Sequence, residues 1–410
     1  MIQSYGPPGG STRRLTGPTR RGRLAKIGRV CNHVSKISDQ STLGYDMTDT
    51  TTQQAGPGRL GDPSSSPATD PRIDRRLRAM LATFQLDGLG EPAPLDRTAG
   101  LEAVAEFIAG ADAGFGGLYE VIPLDVPGDE ELSYEERIIT ADDGHELTLR
   151  IFRPTGADGP LPAVLYIHGG GMTILRTEAP VHLRWCQSLA SSGVIAISID
   201  FRNAWTAAGH HPFPRGLDDC ATGLDWVHEH RDELGISSIT IQGESGGGNL
   251  TLATALKAKQ EGRLDAIDGV YASVPYVSGG YHWPMGRRRT ELPSLVENDG
   301  YFIACDLMDP LAYYYTPEAA DEENPLAWPY HASVEDLVGL PPHVISVNEL
   351  DPLRDEGLAY YRKLLAAGVE VTGKMNLGIV HGAELICRHA IPDVNAAAVA
   401  DIVRFARNGG

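Results

Sequence analysis

Apolar and polar positions follow two periods along this chain, and the changes between them lay out its elements. Over residues 72–86, Ile73, Leu77, Met80, Leu81 and Phe84 recur three or four positions apart, the spacing of one helix face. Leu101, Val104, Phe107 and Ile108 repeat that spacing over 100–110. Beyond about residue 134, short β-branched runs bounded by Gly, Pro, Asn and Asp take over, which predicts strands. They fall at 134–140, 146–154, 163–168, 194–201, 239–244, 270–274, 343–347 and 371–377. The first two flank Asp143-Gly144 and are expected to pair antiparallel. Helical spacing returns between the later strands at 180–191, 216–234, 250–260 and 354–367, and closes the chain at about 393–407. Strands alternating with helices predict a mainly parallel sheet covered on both faces.

Two stretches break the rhythm. Residues 1–70 are rich in Gly, Pro, Ser, Thr and Arg and lack apolar periodicity, so disorder is expected there. The composition shifts near Met47, which points to that residue as the natural start and to the preceding basic stretch as an over-called extension. N-terminal sequencing of the native protein tests this. Residues 276–332 carry Tyr281, Trp283, Tyr301, Phe302, Trp328 and Tyr330 among Pro and Gly. An aromatic insertion after a strand end belongs over the sheet's C-terminal edge, where open α/β sheets bind ligands. The expected organisation is an extension over 1–70, a helical cap segment over 71–125, and a catalytic domain over 126–410 with a pocket-forming insertion at about 276–332.

Charge narrows the partners. The chain of 410 residues carries a formal net charge of −19, which disfavours nucleic acid and anionic membranes. No apolar run reaches bilayer-spanning length, and no apolar segment follows Arg13-Arg14, so a secretory signal is not expected and the expected compartment is cytoplasmic. Cysteines 31, 186, 220, 305 and 387 have neither zinc-site nor redox-motif spacing and read as buried free thiols. No metal or organic cofactor is expected.

The stretch Gln242-Gly243-Glu244-Ser245-Gly246-Gly247 sits between a strand and a helix. That is the context in which Gly-x-Ser-x-Gly makes a sharp turn with its serine exposed at the apex. Upstream, at the end of another strand, stands His168-Gly169-Gly170-Gly171-Met172. Its unobstructed N–H groups, with that of Gly246, can bind an oxygen that becomes negative in a tetrahedral intermediate. An activated serine needs a base and the base an orienting acid. His381 lies in a loop between the last strand and the last helix, at the edge where it can reach Ser245. His168 is expected to shape the glycine loop, with Gly169 beside it. His210, His211, His228 and His230 are expected to be structural or solvated. Asp351 follows the strand at 343–347 and is the expected acid, with Glu349 its rival. Asp355 and Glu356 open the next helix and are expected to act on its N-terminal dipole.

The order Ser245, Asp351, His381 is that of α/β-hydrolases. With Asp200-Phe201-Arg202-Asn203 and His211-Pro212-Phe213-Pro214, these motifs make the chain resemble the hormone-sensitive-lipase-like family of α/β-hydrolase esterases, in particular its bacterial brefeldin A esterase type. The resemblance spans roughly residues 71–407. It implies an eight-stranded hydrolase core, a cap from the N-terminal helices, and oxyanion donors from Gly170, Gly171 and Gly246. Gly246 stands where the family more often has Ala, and Gly-Glu-Ser replaces Gly-Asp-Ser or Gly-Thr-Ser. The expected activity is that of a serine carboxylesterase acting through an acyl-enzyme on short-to-medium acyl esters, or on a bulky or cyclic ester such as a lactone. An amidase or peptidase on the same triad, acyl transfer to an acceptor other than water, and a non-catalytic binding protein of this fold are the alternatives. The pocket is expected to draw on Met172, Tyr281, Trp283, Phe302 and Leu353. The expected partner is a small ester, and self-association is left open.

Overall fold

The computed structural model describes residues 56–90, 92–124, 131–157 and 159–409; Met47 lies outside them. An eight-stranded sheet is ordered β1-β2-β4-β3-β7-β8-β9-β10. Its strands are β1 (Leu132–Thr140), β2 (Glu146–Pro154), β3 (Leu161–Ile167), β4 (Ile195–Ile199), β7 (Ile236–Glu244), β8 (Gly269–Ser273), β9 (His343–Asn348) and β10 (Val371–Asn376). The small strands β5 (Trp205–Thr206) and β6 (Gly209–His210) form a separate hairpin. β1 and β2 pair antiparallel around Asp143-Gly144, and β2 pairs antiparallel with β4. From β4 to β10 every pairing is parallel. β4 and β8 are buried along their whole length, which is why they read as unbroken apolar runs rather than alternations.

The amphipathic N-terminal helices form as the spacing predicts. Arg75–Thr83 is capped by the Asp74 side chain, which accepts from Arg76 N–H, and it buries Leu77 and Leu81 on one face. The second helix, Leu101–Val121, runs well beyond the predicted 110 and buries Val104, Ile108, Leu118 and Tyr119. Its later turns, with Gly110, Gly114, Gly116 and Gly117, weaken the helical signal without stopping the helix. Disorder to residue 70 is corrected from residue 56 onward. Arg59 donates to the Asp299 carbonyl, and Asp70 is buried, accepting from Arg72 and Tyr301. The insertion folds as short helices, Met285–Glu291, Ser294–Glu297 and Cys305–Tyr315, joined by turns.

Behind the sheet, the helix Gly246–Gln260 is buried along almost its entire length. Contact this close requires glycine at its start. A Cβ at Gly247 would lie 2.0 Å from the Ile167 carbonyl oxygen and 2.6 Å from that of His168. A Cβ at Gly243 would lie 2.3 Å from the Gly247 oxygen. All of these obstacles are backbone, so the strain has no side chain to absorb it. Gly247→Ala is therefore expected to destabilise the fold by roughly 3 kcal/mol or more, at the upper end of overpacking costs. Denaturant unfolding measures it, and a wild-type midpoint would contradict the close approach of β3 and this helix.

Candidate active site

Loops leaving the C-terminal ends of β3, β7 and β10 converge on one cavity, and the loop after β9 supports the last of them. After β7, Ser245 has φ 57° and ψ −120°, a conformation that non-glycine residues rarely adopt. The turn is held by Ser245 N–H donating to the Ser273 carbonyl, and by Asn249 N–H donating back to the Ser245 carbonyl, both at 3.0 Å. After β3, the glycine loop turns through positive φ at Gly170 (110°) and Gly171 (61°). Thr173 and Ile174 N–H close it on the Gly170 carbonyl. Among the described residues, no protein acceptor takes the N–H of Gly170 or Gly171. Gly246 lies directly against this loop: a Cβ there would be 2.5 Å from Met172 N and 2.6 Å from Gly171 N. Glycine at this position thus matches a loop drawn in against the elbow.

Past β10, His381 Nδ1 lies 2.8 Å from Asp351 Oδ2. The other oxygen of Asp351 accepts from Leu353 N–H at 2.8 Å, and the carboxylate is fully buried. Burial opposes a charged imidazole, but the Asp351 charge and hydrogen bond outweigh it and raise His381 above its ordinary value. The Asp351 loop is itself fixed from the N-terminal segment and the insertion. Asn298 Nδ2 donates to the carbonyls of Glu349 and Asp351. Arg354 binds Glu297, which also takes Arg72 at 2.6 Å, and Arg72 binds the buried Asp70. Glu349, the rival acid, instead accepts from Gly378 N–H at 2.8 Å and so braces the start of the His381 loop.

His168 donates from Nδ1 to the Gly169 carbonyl and stacks between His182 and Phe201. Burial lowers it to about 4 and His182 to about 3, so both rings are neutral. His210 contacts the Tyr314 carbonyl and His230 the Trp226 carbonyl, both structural roles. Glu356 corrects the expectation of a helix-dipole role. It is buried and accepts from Val277 N–H, the Ser278 hydroxyl and the Tyr281 hydroxyl, which anchors the start of the insertion. Burial raises it to about 7. Asp355 accepts from Ser294 N–H.

The cavity that joins Ser245, His381 and the glycine loop has a volume of about 70 Å³. Its walls come from Phe115 and Tyr119 of the N-terminal helix, Tyr276 and Phe302 of the insertion, and Met308 and Leu311 of the helix Cys305–Tyr315. Phe115 meets Phe302 edge to face, and Phe302 itself has φ 73°. Of the five residues expected to line the pocket, Phe302 alone does so. Met172 is buried in the glycine loop. Tyr281 stacks on Tyr276 but turns its hydroxyl to Glu356. Trp283 packs on Tyr330 under Arg287, and Leu353 lies in the core. The sequence pattern missed Phe115 and Tyr119, because the amphipathic signal that starts their helix fades over its glycine-rich later turns.

The chain is similar to known proteins. The alpha/beta hydrolase fold family model matches residues 164–385. The chain is 33% identical over 258 residues to carboxylesterase NlhH of Mycobacterium tuberculosis, covering 62% of this chain and 76% of the relative. It is 29% identical to an ethyl acetate hydrolase of Pseudomonas putida over 62% of this chain and 76% of that enzyme. Among solved structures, brefeldin A esterase, described as a bacterial homologue of human hormone sensitive lipase, superposes with a TM-score of 0.85 at 52% identity, covering 87% of this chain and 99% of the other. Esterase Est22 with p-nitrophenol superposes with a TM-score of 0.73 at 40% identity, covering 83% and 99%. On this family match, identity and superposition, the chain belongs to the hormone-sensitive-lipase-like esterases of the α/β-hydrolase family.

Proposed function

We propose that this protein is a serine carboxylesterase for small acyl groups, with Ser245 as nucleophile, His381 as general base and Asp351 as the acid that orients it. The observation that carries the reading is the 2.8 Å contact between His381 Nδ1 and Asp351 Oδ2, opening on the same cavity as the strained Ser245. Asp351 accepts a hydrogen bond from Nδ1–H and holds the proton on that nitrogen, which leaves Nε2 with its lone pair to take the proton of the Ser245 hydroxyl as that oxygen attacks the ester carbonyl. The N–H groups of Gly170, Gly171 and Gly246 receive the developing oxyanion. His381 returns the proton to the leaving alkoxide, and water then releases the acid by the same route. The relatives' names, carboxylesterase and ethyl acetate hydrolase, support ester rather than amide chemistry.

The size of the cavity supports the acyl preference. At about 70 Å³ it is far below the roughly 300–1,000 Å³ of sites that enclose drug-sized ligands, so it suits an acetyl or propionyl group whose alcohol portion extends outward. Nitrophenyl esters of increasing chain length are expected to lose kcat/KM steeply beyond about four carbons, each methylene that fails to fit costing of the order of 1 kcal/mol or more. Fastest turnover of the longest chains would overturn the preference.

The acid limb of the pH profile follows from His381. Only the neutral ring can take a proton, and Asp351 raises the ring's proton affinity despite burial. Activity is therefore expected to fall as pH drops through a value above the ordinary histidine range, measured as kcat/KM for nitrophenyl acetate across that region.

A further inference from the structure

The residue before the nucleophile belongs to none of the groups used above. Glu244 is buried, and its side chain runs under the glycine loop. Its Oε1 accepts from Gly169 N–H at 2.7 Å and from the Tyr166 hydroxyl at 3.0 Å. Its Oε2 is buried and has no partner among the described residues. An ionised carboxylate with one naked oxygen in a dry site is costly, whereas a neutral carboxylic acid fits this asymmetry. Oε1 is then the carbonyl oxygen that takes both donors, and Oε2 carries the proton.

The surroundings agree. His182 Nε2 lies 3.8 Å from Glu244 Oε1 and is itself buried without a partner. His182 Nδ1 donates to the Arg176 carbonyl and burial keeps the ring neutral, so Nε2 offers the glutamate no positive charge. The other titratable groups that act on Glu244 are Tyr166 from β3, Tyr119 from the helix Leu101–Val121, Cys186 from the helix Pro180–Ser191, and Glu384 from the short helix Ala383–Ile386. None of these supplies a positive charge. Burial first and the charge of Glu384 last raise Glu244, to about 8, although the Gly169 and Tyr166 hydrogen bonds oppose the rise.

We infer that Glu244 is the positioning residue of the oxyanion loop, that it works as a neutral carboxylic acid, and that its ionisation shuts the site down at alkaline pH. This rests on the esterase reading above and deepens it. The side chain holds the glycine loop by its first N–H and so sets where the N–H groups of Gly170 and Gly171 aim. Loss of the Oε2 proton leaves a buried negative charge beside that loop, in the wall of the cavity where the oxyanion forms. Two like charges in a dry site repel strongly, and the transition state loses stabilisation that the ground-state ester does not. A family member with Asp at this position has one methylene less with which to reach Gly169.

The test is the alkaline limb of kcat for nitrophenyl acetate, with buffer blanks subtracted, in wild type, Glu244→Gln and Glu244→Ala. Gln copies the neutral acid: its oxygen accepts from Gly169 and Tyr166, and its amide stands where Oε2–H stood. Wild-type kcat is expected to fall about tenfold per pH unit above about pH 8, as for any group that must stay protonated. Glu244→Gln is expected to lose that limb and stay level to about pH 10, with neutral-pH kcat lowered only a few-fold. Glu244→Ala, with the loop released, is expected to lose about 10²-fold or more in kcat with little change in KM. A Glu244→Gln limb that coincides with wild type overturns the proposal, as does a Glu244→Ala enzyme with wild-type kcat. Should Glu244→Gln not fold, infrared spectra of the wild type carry the test. A protonated buried carboxyl band that is present in wild type, absent in Glu244→Ala and lost between about pH 7 and 10 in step with kcat supports the proposal, since the buried Glu356 keeps its own band in both proteins, and no such difference overturns it. Fluorophosphonate labelling of Ser245 in wild type is unaffected by either result and tests the esterase reading separately.

Discussion

Replacing Ser245 by alanine is expected to lower kcat for nitrophenyl acetate by the order of 10⁶-fold while leaving the fold intact. The magnitude is that of removing the nucleophile from a serine-hydrolase triad, where the residual rate comes from the oxyanion donors and binding alone. The fold survives because the turn is held by backbone groups. Ser245 N–H binds the Ser273 carbonyl, the Ser245 carbonyl binds Asn249 N–H, and Tyr276 N–H donates to that same carbonyl at 3.1 Å. Alanine keeps all three. It also keeps a Cβ at φ 57°, so the backbone strain is unchanged by the substitution. Ser245→Ala should therefore unfold at the wild-type midpoint and lose fluorophosphonate labelling entirely. A variant that hydrolyses the ester within tenfold of wild type would remove Ser245 from the mechanism and with it the present account of the site.

The parts of this structure that sequence made legible are those set by local chemistry. Strand ends that meet Gly-rich turns are visible because period-two or all-apolar runs stop at residues that break them. His168 through Met172 and Gln242 through Gly247 are both placed at the sheet's C-terminal edge by their position after strand runs. Asp351 stood out from Glu349 only by its position relative to β9. The geometry separates them by partner, His381 for one and the Gly378 N–H for the other. The unreadable parts are those fixed by contacts between segments far apart in the chain. Glu356 carries the sequence signature of a helix start, yet it is buried because the insertion folds back to place Val277, Ser278 and Tyr281 on it. Tyr281 looks like a pocket residue, yet its hydroxyl is taken by that glutamate. Residues 56–70 look like linker. They are tied down by an ion chain, Asp70 to Arg72 to Glu297 to Arg354, whose link from Arg72 to Glu297 spans 225 residues of sequence. The cavity walls from Phe115 and Tyr119 depend on how the cap helix docks, which periodicity does not specify.

Replacing Asp351 by asparagine separates the role of the acid's charge from that of its shape, and the structure dictates which way the amide turns. Oδ1 of Asp351 is held by Leu353 N–H at 2.8 Å, a donor that only an oxygen can accept from. The asparagine oxygen is therefore expected to stay on Leu353, which puts its NH₂ in the place of Oδ2, facing His381 Nδ1. That nitrogen must then accept, so the ring's proton moves to Nε2 and the lone pair needed by Ser245 is gone. The same wrong tautomer in a serine-hydrolase triad costs about 10⁴-fold in kcat, and a loss of that order is expected here. KM should change little, because Asp351 is fully buried and does not line the cavity. The loss of charge also leaves burial as the main influence on His381, which lowers its proton affinity where Asp351 had raised it. The acid limb of the residual activity is thus expected to move to lower pH than in wild type. Glu349→Gln is the control. Its oxygen retains the Gly378 N–H contact, and it has no bond to His381, so its kcat should stay within a few-fold of wild type. If Asp351→Asn kept most of its turnover while Glu349→Gln lost it, the acid of the triad would be Glu349, and the 2.8 Å contact between Asp351 and His381 would be a structural one.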